Sequence, residues 1–230
     1  MTNGHTPGET SVAPSTVSAS SKDTANEKVI WLFGRRKDYS RDYYQRHYVE
    51  KHAPLGVRLT RGRPGYTVNL VETEGGPDAI TEQWVTSAEN LSAPEQIYDK
   101  PEDFAQVRAD RMNDRRDLYV VDERILRGMP VDSPLGRPNP AAKVVWFYDD
   151  AANAPPPPAG AQRVVDNRVL RYVARDEQNA PRDRRSGAWP ARPSRVALIR
   201  MAWAADLGQI EGASDGLVVT EYRFLPSPWE

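Results

Sequence analysis

The 230-residue chain contains no cysteine, which excludes disulfides, thiolate nucleophiles and cysteine-bound metal. Histidine is nearly as scarce: there are three, in no metal-binding cluster, so no zinc or other metal site is expected. A glycine-rich phosphate loop is missing too. Gly34 and Gly62 stand alone, and no nucleotide or other cofactor is expected. Neither sign of charge is in excess; the formal net charge of −1 gives no reason to expect nucleic acid or an acidic membrane as partner. No apolar run approaches the length a bilayer demands. With 39% hydrophobic and 27% charged residues, the composition is that of a soluble globular protein, expected in the cytoplasm.

Residues 1–26 are rich in Ser, Thr, Gly and Pro and nearly devoid of large apolar side chains. They are expected to form a disordered tail that holds His5 and lacks the apolar core of a secretory signal.

The remainder reads as a diverged internal duplication, residues 27–127 and 141–230, joined by a proline-rich linker at 128–140. Lys28-Val29-Ile30-Trp31-Leu32-Phe33 is echoed by Lys143-Val144-Val145-Trp146-Phe147-Tyr148, both β-branched and aromatic and both read as buried strands. Residues 80–84 with Leu91 are echoed by 198–203 with Ile210. Val120-Val121-Asp122-Glu123 is echoed by Val218-Val219-Thr220-Glu221. Residues 65–72 and 169–177 supply one more strand in each half. Each copy then reads β-α-β-β-α-β, giving an α+β fold of tandem ferredoxin-like repeats with antiparallel sheets. In the first copy a second helix is expected over 101–115. The second copy is degraded, with Pro155 to Pro158 and a helical stub near 161–165 in place of the first helix. A sheet with helices on one face must bury the other. Two such sheets facing each other would close a barrel around an apolar pocket, within one chain or in a homodimer, the expected state.

The helix beginning at the N-cap Ser40 concentrates the chemistry. Tyr44, Tyr48 and His52 are four apart and share one helical face; Tyr43 and His47 lie on the next. Imidazoles move protons near neutral pH, and phenols bond oxygens and stack on rings. His52 is the candidate acid/base, with carbonyl capping as the alternative. Tyr44 and Tyr48 either hold a substrate or pack the helix onto the sheet. His47 is a substrate contact or a surface histidine. Trp31, Phe33 and Trp84 would floor the pocket or simply fill the core. Among the arginines near the first strand and helix, Arg35 could anchor an acidic substrate through its guanidinium fork. Asp149-Asp150 reads as a turn, and Asp122-Glu123 as an edge or solvent face.

The strand, the Arg35-Arg36-Lys37 turn, Ser40-x-x-Tyr43-Tyr44 and His52-Ala53-Pro54-Leu55 resemble the opening of EthD-domain proteins, of the dimeric α/β-barrel superfamily, over residues 28–126. The resemblance implies a small, cofactor-free protein acting on aromatic or polyketide-like compounds. On this reading the chain is a lyase eliminating water or carbon dioxide, with His52 as acid/base and Tyr44 and Tyr48 holding a phenol. A cofactor-free, quinone-forming monooxygenase and a non-catalytic carrier of aromatic ligands are the alternatives.

Overall fold

The computed structural model describes Met1 and residues 26–61, 63–92, 97–128, 133–175 and 196–226. The expected tail therefore lies outside the described residues, its two ends excepted.

Strand β1 (Glu27–Arg35) leads into helix α1 (Arg41–His47), which continues through a π turn (Tyr48–His52) into α2 (Ala53–Leu59). Strands β2 (Gly65–Val71) and β3 (Ala79–Val85) follow, then a 3₁₀ turn (Ala88–Ser92), helix α3 (Pro101–Ala109) and the long β4 (Asn113–Arg127). The second half supplies β5 (Ala142–Tyr148), β6 (Arg163–Arg175), β7 (Leu198–Ala204) and β8 (Leu217–Leu225).

All eight strands join in one closed antiparallel barrel in the order β1-β3-β2-β8-β5-β7-β6-β4. The first half contributes β4-β1-β3-β2 and the second β8-β5-β7-β6, with seams at β2–β8 and β4–β6. Registers correspond as well. Lys28 pairs with Trp84 as Lys143 pairs with Trp203, and Asn69 pairs with Ile80 as Asn167 pairs with Ile199.

The helices match less well. Residues 161–165, read as a helical stub, run instead into β6, and only 3₁₀ turns (Leu207–Gln209, Ala213–Asp215) separate β7 from β8. Four prolines in succession cannot donate the bonds of a helix, and the strand starts once they end. Helix α3 stops at Ala109 rather than 115, because Asn113 already enters β4.

Side chains alternate across each strand. Val29, Trp31 and Phe33 face outward and pack with Tyr44, Tyr48 and Ala53 beneath the helices. Ile30, Leu32, Ile80, Val145, Ile199 and Met201 belong to a separate cluster that draws on all eight strands and fills the barrel. Trp31 and Phe33 are thus packing beneath a helix, not the floor of a hollow between sheets. No helix among the described residues is long and apolar enough to cross a membrane.

The same alternation sends charge inward. The Lys143 ammonium, fully buried, donates to Glu82 Oε1 at 2.6 Å and Glu221 Oε2 at 2.7 Å. Lys28 Nζ lies 2.7 Å from Glu82 Oε2 and also bonds Glu123. Trp203 Nε1 donates to Glu221 at 3.1 Å and Asn139 Nδ2 to its other oxygen at 2.7 Å. Each lysine also sits over an indole, Lys28 on Trp84 and Lys143 on Trp203, at 4.7 and 4.3 Å from the centroids. Burial works against ionisation of Glu82, but Lys143 and Lys28 prevail and hold its carboxyl well below the usual range. Glu123, expected at an edge or solvent face, belongs inside this network; its neighbour Asp122 is the exposed one.

Candidate functional site

Helix α1 starts where expected. The Ser40 hydroxyl accepts from the Tyr43 amide at 3.2 Å, and Asp42 occupies the first turn. The apolar stripe then seats Tyr44 and Tyr48 against the outer face of the sheet, both fully buried. After His47 the helix widens into its π turn, in which the Ala53 amide bonds back to Tyr48 O. Pro54, just beyond, has no N–H to give to the Glu50 carbonyl, which removes one bond that would favour ordinary α spacing.

His52 ends that turn. Its Nδ1 lies 2.9 Å from Asp110 Oδ2, and its ring meets Tyr48 edge-on with centroids 5.0 Å apart. The other Asp110 oxygen lies 2.7 Å from His47 Nε2. His47 Nδ1 is in turn 3.4 Å from the hydroxyl of Tyr43. One carboxylate therefore bridges two imidazoles. Burial opposes ionisation of Asp110, but the bonds to His52 and His47 outweigh it and keep the carboxyl below its ordinary value. An ionised Asp110 can only accept, so both histidines donate to it, His52 through Nδ1–H and His47 through Nε2–H. His47 Nδ1 is then the acceptor for Tyr43 O–H. His52 Nε2 has no hydrogen-bond partner among the described residues.

The phenols beneath are already engaged. Tyr44 donates to Asn113 Oδ1 at 2.7 Å within the core, and Tyr48 is fully buried among the rings of Phe33, Tyr44 and His52. Burial pushes both hydroxyls well above the ordinary phenol value. Their places are those of packing residues under His52, not of free donors to a substrate. Phe33 and Trp31 continue the layer, their rings stacked at 5.7 Å and Phe33 6.2 Å from Tyr48.

The remaining expected site residues lie apart. Trp84 points to the other face of the sheet, into the barrel, under Lys28. Arg35 is occupied: its amide donates to Asp78 Oδ2 at 2.8 Å, its guanidinium pairs with the same carboxylate, and its Nε donates to Tyr39 O at 3.2 Å. The histidines sit on the outer side of the barrel between α1, α2 and α3, and not in a hollow between two sheets. Closure within one chain turns the inner sheet faces toward each other and the helices outward.

Asp110 escaped the sequence reading because it lies 58 residues beyond His52. One signal pointed to it. A carboxylate at a helix C-terminus opposes the helix dipole and calls for a cationic or donor partner, and Asp110 is the C-cap of α3. The barrel charges had a signal too: Lys28 and Glu123 recur at matching places as Lys143 and Glu221.

No protein-family profile matches the chain, and no curated protein matches it in sequence. In structure it resembles the chain of a crystal structure study of an anthrone oxidase-like protein, with a TM-score of 0.53. The match covers 86% of this chain and 93% of that one at 10% sequence identity. At that identity the likeness is one of fold: both are versions of a small α+β architecture, here an eight-stranded antiparallel barrel carrying helices on one side.

Proposed function

We propose that this chain is a cofactor-independent enzyme that takes a proton from a phenolic or polyketide-like aromatic, with the His52–Asp110 pair as its acid/base. The carrying observation is the tethering of His52 by one nitrogen. Asp110 engages Nδ1, leaving the Nε2 lone pair to accept a proton, and its negative charge balances the imidazolium that results. Loss of water needs two moves from such a group: Nε2 removes an acidic C–H proton, then returns it to the departing hydroxyl. Loss of carbon dioxide also needs two: Nε2 takes the phenol proton, then delivers it to the ring carbon, whose carboxylate leaves as carbon dioxide and restores the phenolate. Tyr48 supports the imidazole by ring contact, while the exposed Tyr43 offers the aromatic rim where a substrate ring would stack.

Strand order and register support reading the chain as a duplicated ferredoxin-like unit of the dimeric α/β-barrel type, and the residues from Ser40 to Leu55 support an EthD-like first copy. A homodimer would then form through outer faces, since β1–β4 already have their covering sheet.

Oxygenation is the second reading, favoured by the fold likeness to an anthrone oxidase-like protein. The first step is shared. The resulting anion reduces molecular oxygen, one atom entering the ring carbon as a carbonyl and the other leaving as water. Oxygen uptake with a panel of phenolic acids separates the two, because the lyase turns over without oxygen. His52→Ala and Asp110→Asn should each lower kcat/KM by about 10²–10⁴-fold. Unchanged turnover in His52→Ala would remove the proposed acid/base.

A further inference from the structure

His47 and His52 are five residues apart. In a regular α-helix that spacing turns side chains about 140° away from each other, too far for both to reach one carboxylate. A π turn instead bonds residue i to i+5 and so stacks residues five apart on one side. The only π turn among the described residues spans Tyr48–His52, between these two imidazoles. It brings them to opposite oxygens of Asp110, at 2.7 and 2.9 Å.

Asp110 needs such support. It lies at the exit of α3, where the helix dipole opposes its charge, and its side chain is 24% exposed. A carboxylate held by one bond in that setting rotates freely and presents either oxygen. Held at both oxygens, it has a fixed plane.

We propose that His47 is a positioning residue for His52, acting through Asp110: by anchoring Oδ1 it fixes the carboxylate plane, and so keeps His52 as the Nδ1–H tautomer with Nε2 presented outward. The inference rests on the reading of His52 as acid/base only for its catalytic consequence. The geometric claim stands apart from it. Tyr43 completes the chain by donating to His47 Nδ1, which favours the Nε2–H tautomer that His47 needs.

The test uses nitrogen-15 NMR of the full chain, whose three histidines make assignment tractable. Two substitutions separate the roles of the two His47 nitrogens. Gln places an amide N–H near the position of Nε2 and can still donate to Asp110. Asn reaches only as far as Nδ1 and cannot. His52 is expected as a single Nδ1–H tautomer in the unmodified chain and in His47→Gln, and as a tautomer mixture in His47→Asn and Asp110→Asn. Once a substrate is in hand, His47→Asn should lower kcat about tenfold with KM little changed, and His47→Gln should restore most of it. A single unchanged His52 tautomer in His47→Asn overturns the proposal, as does a mixture in the unmodified chain. Loss of turnover in His52→Ala alongside such an unchanged tautomer would remove the positioning role alone. Retained turnover in His52→Ala alongside the expected tautomers would remove the catalytic reading alone.

Discussion

Replacing Lys143 by Met keeps the length and apolar stem of the side chain and deletes only its charge. In the folded chain that charge serves two buried carboxylates, Glu82 and Glu221, with no exposure of the lysine itself. After Lys143→Met, Glu82 keeps Lys28 and the Asn69 amide, while Glu221 keeps the indole N–H of Trp203 and the Asn139 amide. Breaking a buried pair in this way costs about 3–5 kcal/mol, because a carboxylate is left in low dielectric without its counter-charge. The variant has one escape, which is to protonate a carboxyl. At pH 7 that costs about 3.4 kcal/mol for a group whose ordinary value is near 4.5, and at pH 5 only about 0.7 kcal/mol. The expected loss of stability is therefore about 3–4 kcal/mol at pH 7, shrinking to about 1–2 kcal/mol at pH 5 once lost hydrogen bonds are included. The sign follows from Glu82. Its folded value is depressed, so in the parent its contribution is complete above about pH 4.5 and is lost only below that point as pH falls toward the folded value. In the variant Glu82 keeps Lys28, but one buried negative charge is left without a counter-charge, and mild acid relieves it by supplying a proton. Urea unfolding at the two pH values, followed by tryptophan fluorescence, measures the difference, with Trp203 and Trp84 as reporters inside the network. A loss under about 1 kcal/mol at pH 7, or one identical at both pH values, would refute the reasoning.

Tyr44→Phe should destabilise the chain by about 1–3 kcal/mol, since it leaves the buried Asn113 Oδ1 without its donor; chemical unfolding reads this directly. Two glycines should respond in opposite directions. Gly65→Ala places a methyl 2.6 Å from Trp84 Cε3 and 2.9 Å from the Pro226 carbonyl, an overpacking cost of about 1–3 kcal/mol. Gly56→Ala lies within α2 and meets only Arg63 Nη1 at 3.7 Å, so it should stabilise by about 0.5–1 kcal/mol, and thermal melts of the pair would show the opposite signs.

Strands were the most legible part of the sequence, because β-branched and aromatic runs such as Val29 to Phe33 fit little else. What the sequence did not disclose was the face each residue takes. Trp31 and Ile30 are equally apolar, and only the closure of the barrel decides that Ile30 points inside. Lysine at the head of a strand reads as a solvent marker, and Lys28 and Lys143 became interior residues only once Glu82, Glu123 and Glu221 from other strands could meet them. The tyrosine–histidine helix and its start at Ser40 are legible from the cap and the spacing of its aromatic residues. Its use changed because a π turn, invisible to a four-residue periodicity, lined up His47 with His52. Asp110 was hidden by expecting α3 to run on to 115, which would have left it mid-helix and solvated.

A ring of strands has no free flank. Among the described residues each strand has a neighbour on both sides, so no row of amides and carbonyls is left to template another chain. Contacts with other molecules must therefore be made through side chains, and pathological stacking must begin with a breach. The two seams are unequal: β4–β6 runs from Arg116↔Arg175 to Arg127↔Val164, whereas β2–β8 runs only from Tyr66↔Leu225 to Val71↔Val219. Shorter than either seam is β5–β8, which runs only from Lys143↔Val219 to Val145↔Leu217, so the ring would first come apart there, and residues 142–148 and 217–225 are the segments whose exposure would start aggregation.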